Sequence, residues 1–104
     1  MIAALLLAFN ILHLWRDSNS HAANARGVDA YDHKKYVGAV SAFGKQASIH
    51  PSPAASFNLG TSQIAAGNRE LGSATIAKAM VDPKLRGDAF YNRGNSALAA
   101  KAYD

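Results

Sequence analysis

Gly27, Gly60 and Gly94 stand 33 and 34 residues apart, and similar residues recur around them. Asn58-Leu59-Gly60 is echoed by Asn92-Arg93-Gly94, and an aromatic residue precedes each asparagine (Phe57, Tyr91). Pro51 and Pro83 close the intervening segments at nearly the same period. Self-similarity at this period implies stacked helix–turn–helix units, each burying its apolar face only against a neighbour. Such a chain is expected to bind other chains rather than to catalyse.

The breakers between the glycines set the expected elements. Helices over 21–32 and 35–49 form a first pair, broken near His33-Lys34 and ended by Pro51, which cannot continue a helix. A second pair covers 53–66 and 69–81, with Gly67-Asn68 as its turn and Asp82-Pro83 as its stop. A helix over 84–100 opens a third pair, and Tyr103-Asp104 would begin its second helix. The expected fold is all-α, an antiparallel helix-turn-helix array of about two and a half units: 21–51, 52–83 and an incomplete 84–104. A period cut short leaves an unburied face, so the expectation is a fragment or a truncated gene product.

Small residues have a place in this scheme. Glycine inside a helix costs about 1 kcal/mol against alanine, a cost tolerated where a neighbouring backbone must approach closely. Ala39 and Gly72 supply the matching small contact on the second helices, and Phe43 and Ile76, four residues on, fill the space between. Tyr36, Ala39 and Phe43 follow helical spacing, giving an apolar stripe toward the partner helix.

Ahead of the array, residues 1–20 form a separate segment. Ile2 to Trp15 is apolar apart from Asn10 and His13, and as a helix would reach roughly 21 Å, short of a bilayer core of ~30 Å. It reads as an apolar N-terminal helix acting as membrane anchor, with Trp15 and Arg16 at the interface. It also reads as a signal peptide, with small residues at Ser20–Ala25 but no basic residue before the apolar run. A third reading packs it on the first pair as a cap. The first two place the protein at a membrane or in the cell envelope, on an undetermined side.

Composition excludes several functions. There is no cysteine, which removes thiol catalysis, cysteine–metal sites and disulfides. The net charge of +4 comes from scattered residues, with Lys34-Lys35 the only basic doublet, so nucleic acid is not an expected partner. The four histidines lack the i, i+4 spacing of a helical metal site, and no cofactor or metal is expected. Asp29, Asp32, Asp82 and Asp88 read as surface charge or helix caps. No serine sits in a strand–turn–helix elbow. The expectation is no enzyme.

The pattern resembles the tetratricopeptide repeat over residues 21–104. Gly27, Ala39-x-x-x-Phe43 and Pro51 match its small, alanine–aromatic and proline positions, with Tyr36 where that family often has tyrosine. Phe57-Asn58-Leu59-Gly60, Lys78-Ala79 and Pro83 match in the second unit, and the run Phe90–Ala97 in the third. Departures include Ala23 and Ser56 for the leading aromatic, Arg26 and Arg93 for leucine, and Gly72 for alanine, with small shifts in loop length; together they imply looser packing in the second pair. The order of parts, with Asp82–Asn92 after a repeat, resembles bacterial membrane-associated tetratricopeptide proteins. Those are encoded beside von Willebrand factor A-domain proteins in aerotolerance-type operons.

The resemblance implies a concave groove lined by first helices, in which a peptide or helix of a partner protein lies. It places Asn24, Phe57, Asn58, Thr61, Tyr91, Asn92 and Asn95 in that groove, together with Val28, Ile64 and Leu98. Side-chain amides suit peptide recognition because they both donate and accept. The competing reading puts the asparagines on neighbouring helix backbone and the aromatics in an inter-unit core. A lysine-based carboxylate clamp is not expected, because Asn24, Phe57 and Tyr91 hold its slots. Function then divides between a protein–protein interaction module, for which the resemblance offers a von Willebrand factor A-type membrane protein as partner, and a structural segment that extends or caps a longer superhelix.

Overall fold

The computed structural model describes Leu14 and residues 22–102, with side chains described over 24–97. Among the described residues the protein is all-helical: α1 (Ala22–Asp32), α2 (Tyr36–Ile49), α3 (Pro53–Ala65), α4 (Arg69–Ala77), a 3-10 turn (Lys78–Val81) and α5 (Pro83–Ala102). The expected apolar N-terminal helix over 1–20 lies outside the described residues, apart from Leu14. No helix among those described is long and apolar enough to cross a membrane.

α1 and α2 form one tight hairpin, and α3 and α4 another. In both, the first helix ends in the same way. Lys35 N–H donates to Ala30 O at 2.8 Å and Lys34 N–H to Tyr31 O at 2.9 Å. Asn68 N–H donates to Gln63 O at 2.8 Å and Gly67 N–H to Ile64 O at 3.0 Å. This paired pattern satisfies the last carbonyls and needs one residue in the left-handed region. Gly67 takes it at φ 99°, but in the first hairpin the position falls to Lys34 at φ 60°. A side chain there costs roughly 1–2 kcal/mol. Lys34→Gly is therefore expected to raise the unfolding free energy by about 1 kcal/mol in denaturant titration, whereas an unchanged midpoint would show the turn to be unstrained.

Helix starts follow local chemistry. Ser52 Oγ accepts from Ala55 N–H at 3.0 Å, with Pro53 at the first helical position. Asp82 Oδ1 accepts from Lys84 N–H at 2.9 Å, so Asp82-Pro83 opens α5 as well as ending what precedes it. The expected helix over 69–81 stops being α-helical at Ala77 and tightens into the 3-10 turn. Arg86 Nε donates to Met80 O at 3.1 Å, and Arg93 Nη1 lies 3.5 Å from Met80 Sδ, tying α5 to that turn.

Two apolar clusters hold the helices. One joins Phe57, Ile64, Ile76, Ala79, Leu85 and Ala89, so it spans α3, α4, the 3-10 turn and α5. The other joins Leu14, Ala39 and Phe43, with Val28, Tyr31 and Leu59 against it. Tyr31 and Tyr36 meet edge to face at 5.2 Å. In the first hairpin a Cβ added to Gly27 would lie 2.5 Å from Phe43 Cε1. In the second, a Cβ on Gly60 would lie 2.7 Å from Gly72 O, and one on Gly72 would lie 2.6 Å from Gly60 O. The packing at Gly72 is thus tighter, not looser as the sequence implied: losing a methyl group lets the two backbones touch.

Candidate interaction surface

α3 is the central element, and residues Gly60 to Ala65 on it are all buried. Asn58 and Thr61 lie one turn apart on this helix and look in different directions. Asn58 Nδ2 donates to Asn24 Oδ1 on α1 at 3.3 Å. Asn92 Nδ2 on α5 donates to Thr61 Oγ1 at 3.1 Å. All four are buried, at 5% exposure or less. Burying an amide is costly unless it is hydrogen-bonded, so these pairs fix which side chains of α1, α3 and α5 face each other. They form a polar ladder through the stack, with α3 as its middle rail.

Phe57 is fully buried in the larger apolar cluster, against Leu85 and Ala89 of α5. Of the seven residues expected to line a groove, Asn24, Phe57, Asn58, Thr61 and Asn92 therefore lie inside the helix stack. Two lie nearer the surface, both on α5. Tyr91 is 53% exposed, and Asn95 is half-buried with its Nδ2 enclosed and without a hydrogen-bond partner. Ile64 is buried and Val28 half-buried. The side chain of Leu98 lies outside those described.

A further residue belongs with Tyr91. Phe90 is 61% exposed, beside it on α5. Phe90 has a core residue's chemistry, and only the arrangement of the described helices reveals it as surface. On α5 the buried stripe is Leu85, Ala89, Asn92 and Ser96, and the opposite side carries Gly87, Phe90, Gly94 and Ala97. Beside that side runs an open cleft of about 510 Å³, lined by Gly67, Asn68, Arg69, Glu70 and Ser73 together with Ser96 and Ala97.

Ionisable groups contribute little chemistry here. Burial, reinforced by Tyr36 and Asp32, pushes the Tyr31 phenol well above its ordinary value and keeps it neutral. His33 Nδ1 lies 2.8 Å from Asp29 O at the end of α1, on an exposed edge. Among the described residues no three of His, Asp and Glu gather as metal ligands. What the described residues leave exposed on α5 is an aromatic pair and a strip of small side chains. Comparison with family models, curated proteins and solved structures finds no match to the chain.

Proposed function

We propose that the chain is a tetratricopeptide-type interaction module that binds a peptide or helix of a partner protein, with α5 as the receiving element. The observation that carries this reading is the exposure of Phe90 and Tyr91 side by side on α5, 61% and 53%. Large aromatics bring much apolar area at low side-chain entropy cost, and they anchor interfaces more often than they decorate bare surface. The repeat arrangement belongs to the proposal and is supported by the glycine period and by two hairpins with the same turn and the same knob over glycine. Asn24, Asn58, Thr61 and Asn92 hold the first helices in register behind the binding surface, while Tyr91 and Asn95 meet the ligand. A membrane or cell-envelope setting, with a von Willebrand factor A-type protein as a candidate partner, follows from the apolar N-terminal run and the family resemblance. No catalysis forms part of this reading.

A structural role is favoured by a different observation. Burial of the ladder residues gives them an inter-helix task, and a segment that only extends or caps a longer superhelix needs nothing else. Photo-crosslinking in the native host from position 91, with exposed Lys45 on α2 as control, separates the two. The expected result is a discrete protein adduct from position 91 and none from 45. The purified partner should then bind the full chain at least tenfold more weakly after Tyr91→Ala, with the melting temperature unchanged. No adduct from 91, or equal adducts from both positions, would leave the structural role standing.

A further inference from the structure

The segment ahead of α1 contributes one described side chain, Leu14, and it is buried, 6% exposed, with Ala39 and Phe43 of α2. The second hairpin shows how such a cluster is closed elsewhere in the chain. Ile76 of α4 lies over Gly60 as Phe43 lies over Gly27, and Phe57, Leu85 and Ala89 close around it. Every buried member of that cluster comes from the helices and the 3-10 turn. In the first hairpin α1 and α3 supply partly buried neighbours, among them Val28, Tyr31 and Leu59. The third buried member is Leu14, eight positions before Ala22, where α1 begins. The core of the first hairpin is therefore completed by a residue of the apolar run, and a leucine takes far more apolar area from water than the alanine it joins.

A second observation, nearer α1, points the same way. The small residues that suit a signal-peptide cut, Ser20–Ala22 and Ala23–Ala25, run into α1. A cut after Ala22 would detach Leu14 and open one flank of Ala39 and Phe43. A cut after Ala25 would also remove Asn24, whose Oδ1 accepts from Asn58 Nδ2 at 3.3 Å inside the stack. Taking away a buried acceptor leaves the amide it served with a desolvation cost. Either cut would damage the domain that it releases.

We propose that the apolar run is retained in the working protein as a fixed part of its fold, with Leu14 as the side chain that seats it on the first hairpin. The occupant of the Ala39–Phe43 face is this chain's own N-terminal segment. It covers the first hairpin, and whatever the run meets further upstream, the array is held to it at Leu14. This role is separate from the binding role proposed for α5.

Two measurements on the full chain test it. Tryptic mapping of the unsubstituted protein from its native host should recover the peptide Asp17–Arg26 whole, since that peptide spans both cut sites, and the intact mass should include Leu14. Ala23 or Arg26 as the main N-terminus would overturn the proposal, as would any main species that starts after Leu14. The chain has no cysteine, so Leu14→Cys and Val37→Cys, the latter at a site 78% exposed, can each be labelled alone with a maleimide. In the folded chain position 14 should react about a hundredfold more slowly than position 37, because a buried group reacts only through opening. Its protection should end at the urea concentration at which the same variant loses its helical circular dichroism. Labelling at 14 within about tenfold of that at 37 would overturn the proposal. Protection that outlasts the helices would overturn it too, by showing that something other than the hairpin covers position 14. Neither readout involves position 91, so this inference and the partner-binding reading stand or fall separately.

Discussion

Gly60→Ala is expected to lower the melting temperature by about 10–20 °C, while Gly94→Ala raises it by about 4–8 °C. The same substitution on chemically similar helices is opposed in sign because of what each methyl group meets. At Gly60 the new Cβ would lie 2.7 Å from Gly72 O and 2.8 Å from Ile76 N, both backbone atoms. Neither can swing aside, so α3 and α4 must separate, and the Phe57–Ile64–Ile76 cluster opens with them. Overpacking of this kind costs about 1–3 kcal/mol, at the upper end where backbone is involved. At Gly94 the methyl meets solvent, and the chain keeps the roughly 1 kcal/mol that alanine gains over glycine in a helix. Gly27→Ala should fall between them, since its clash is with the Phe43 ring, a side chain that can tilt. Thermal unfolding followed by circular dichroism reads all three, and near-equal shifts would mean that the glycines carry no packing role.

The helices were legible in the sequence because their ends are written in residues with few conformational options. Proline at 51, 53 and 83 and glycine at 67 left little freedom, and expected and observed boundaries differ by a residue or two. The exception is the end of α4, where Lys-Ala-Met-Val suits α or 3-10 geometry equally and tertiary contacts with α5 decide. The contacts over Gly27 and Gly60 were legible too, whereas Gly94, which the sequence read in the same way, meets no atom of the described residues. What sequence could not reveal was the burial of the asparagines. An amide is equally suited to a ligand backbone and to another amide, and spacing says only that Asn24, Asn58 and Asn92 share a helix face. Which way that face turns depends on how first helices stack, a property of the assembled molecule. Phe90 was obscured for the reverse reason: it has a core residue's chemistry on a face that none of the described helices covers.

That ambiguity about the ladder can be resolved by a charge. At pH 8 the Asn92→Asp variant is expected to lose about 3–5 kcal/mol of stability, the usual cost of an uncompensated buried charge. At pH 4 the loss should be under about 1 kcal/mol, because a protonated carboxyl is nearly isosteric with the amide and can still donate to Thr61. The sign follows from desolvation: Asn92 has no exposed surface, so an aspartate there has its folded-state pKa raised above the unfolded value of about 3.9. Between the two values the folded protein holds a proton that the unfolded chain has released, so stability falls as pH rises. Each pH unit in that window removes about 1.4 kcal/mol relative to the unsubstituted protein. Urea titrations of both proteins across this range measure the difference directly. An asparagine facing a solvated groove would behave otherwise, since its aspartate would ionise in water and leave the difference flat with pH. A flat profile would return Asn92, and with it the Thr61 contact, to the ligand-binding surface.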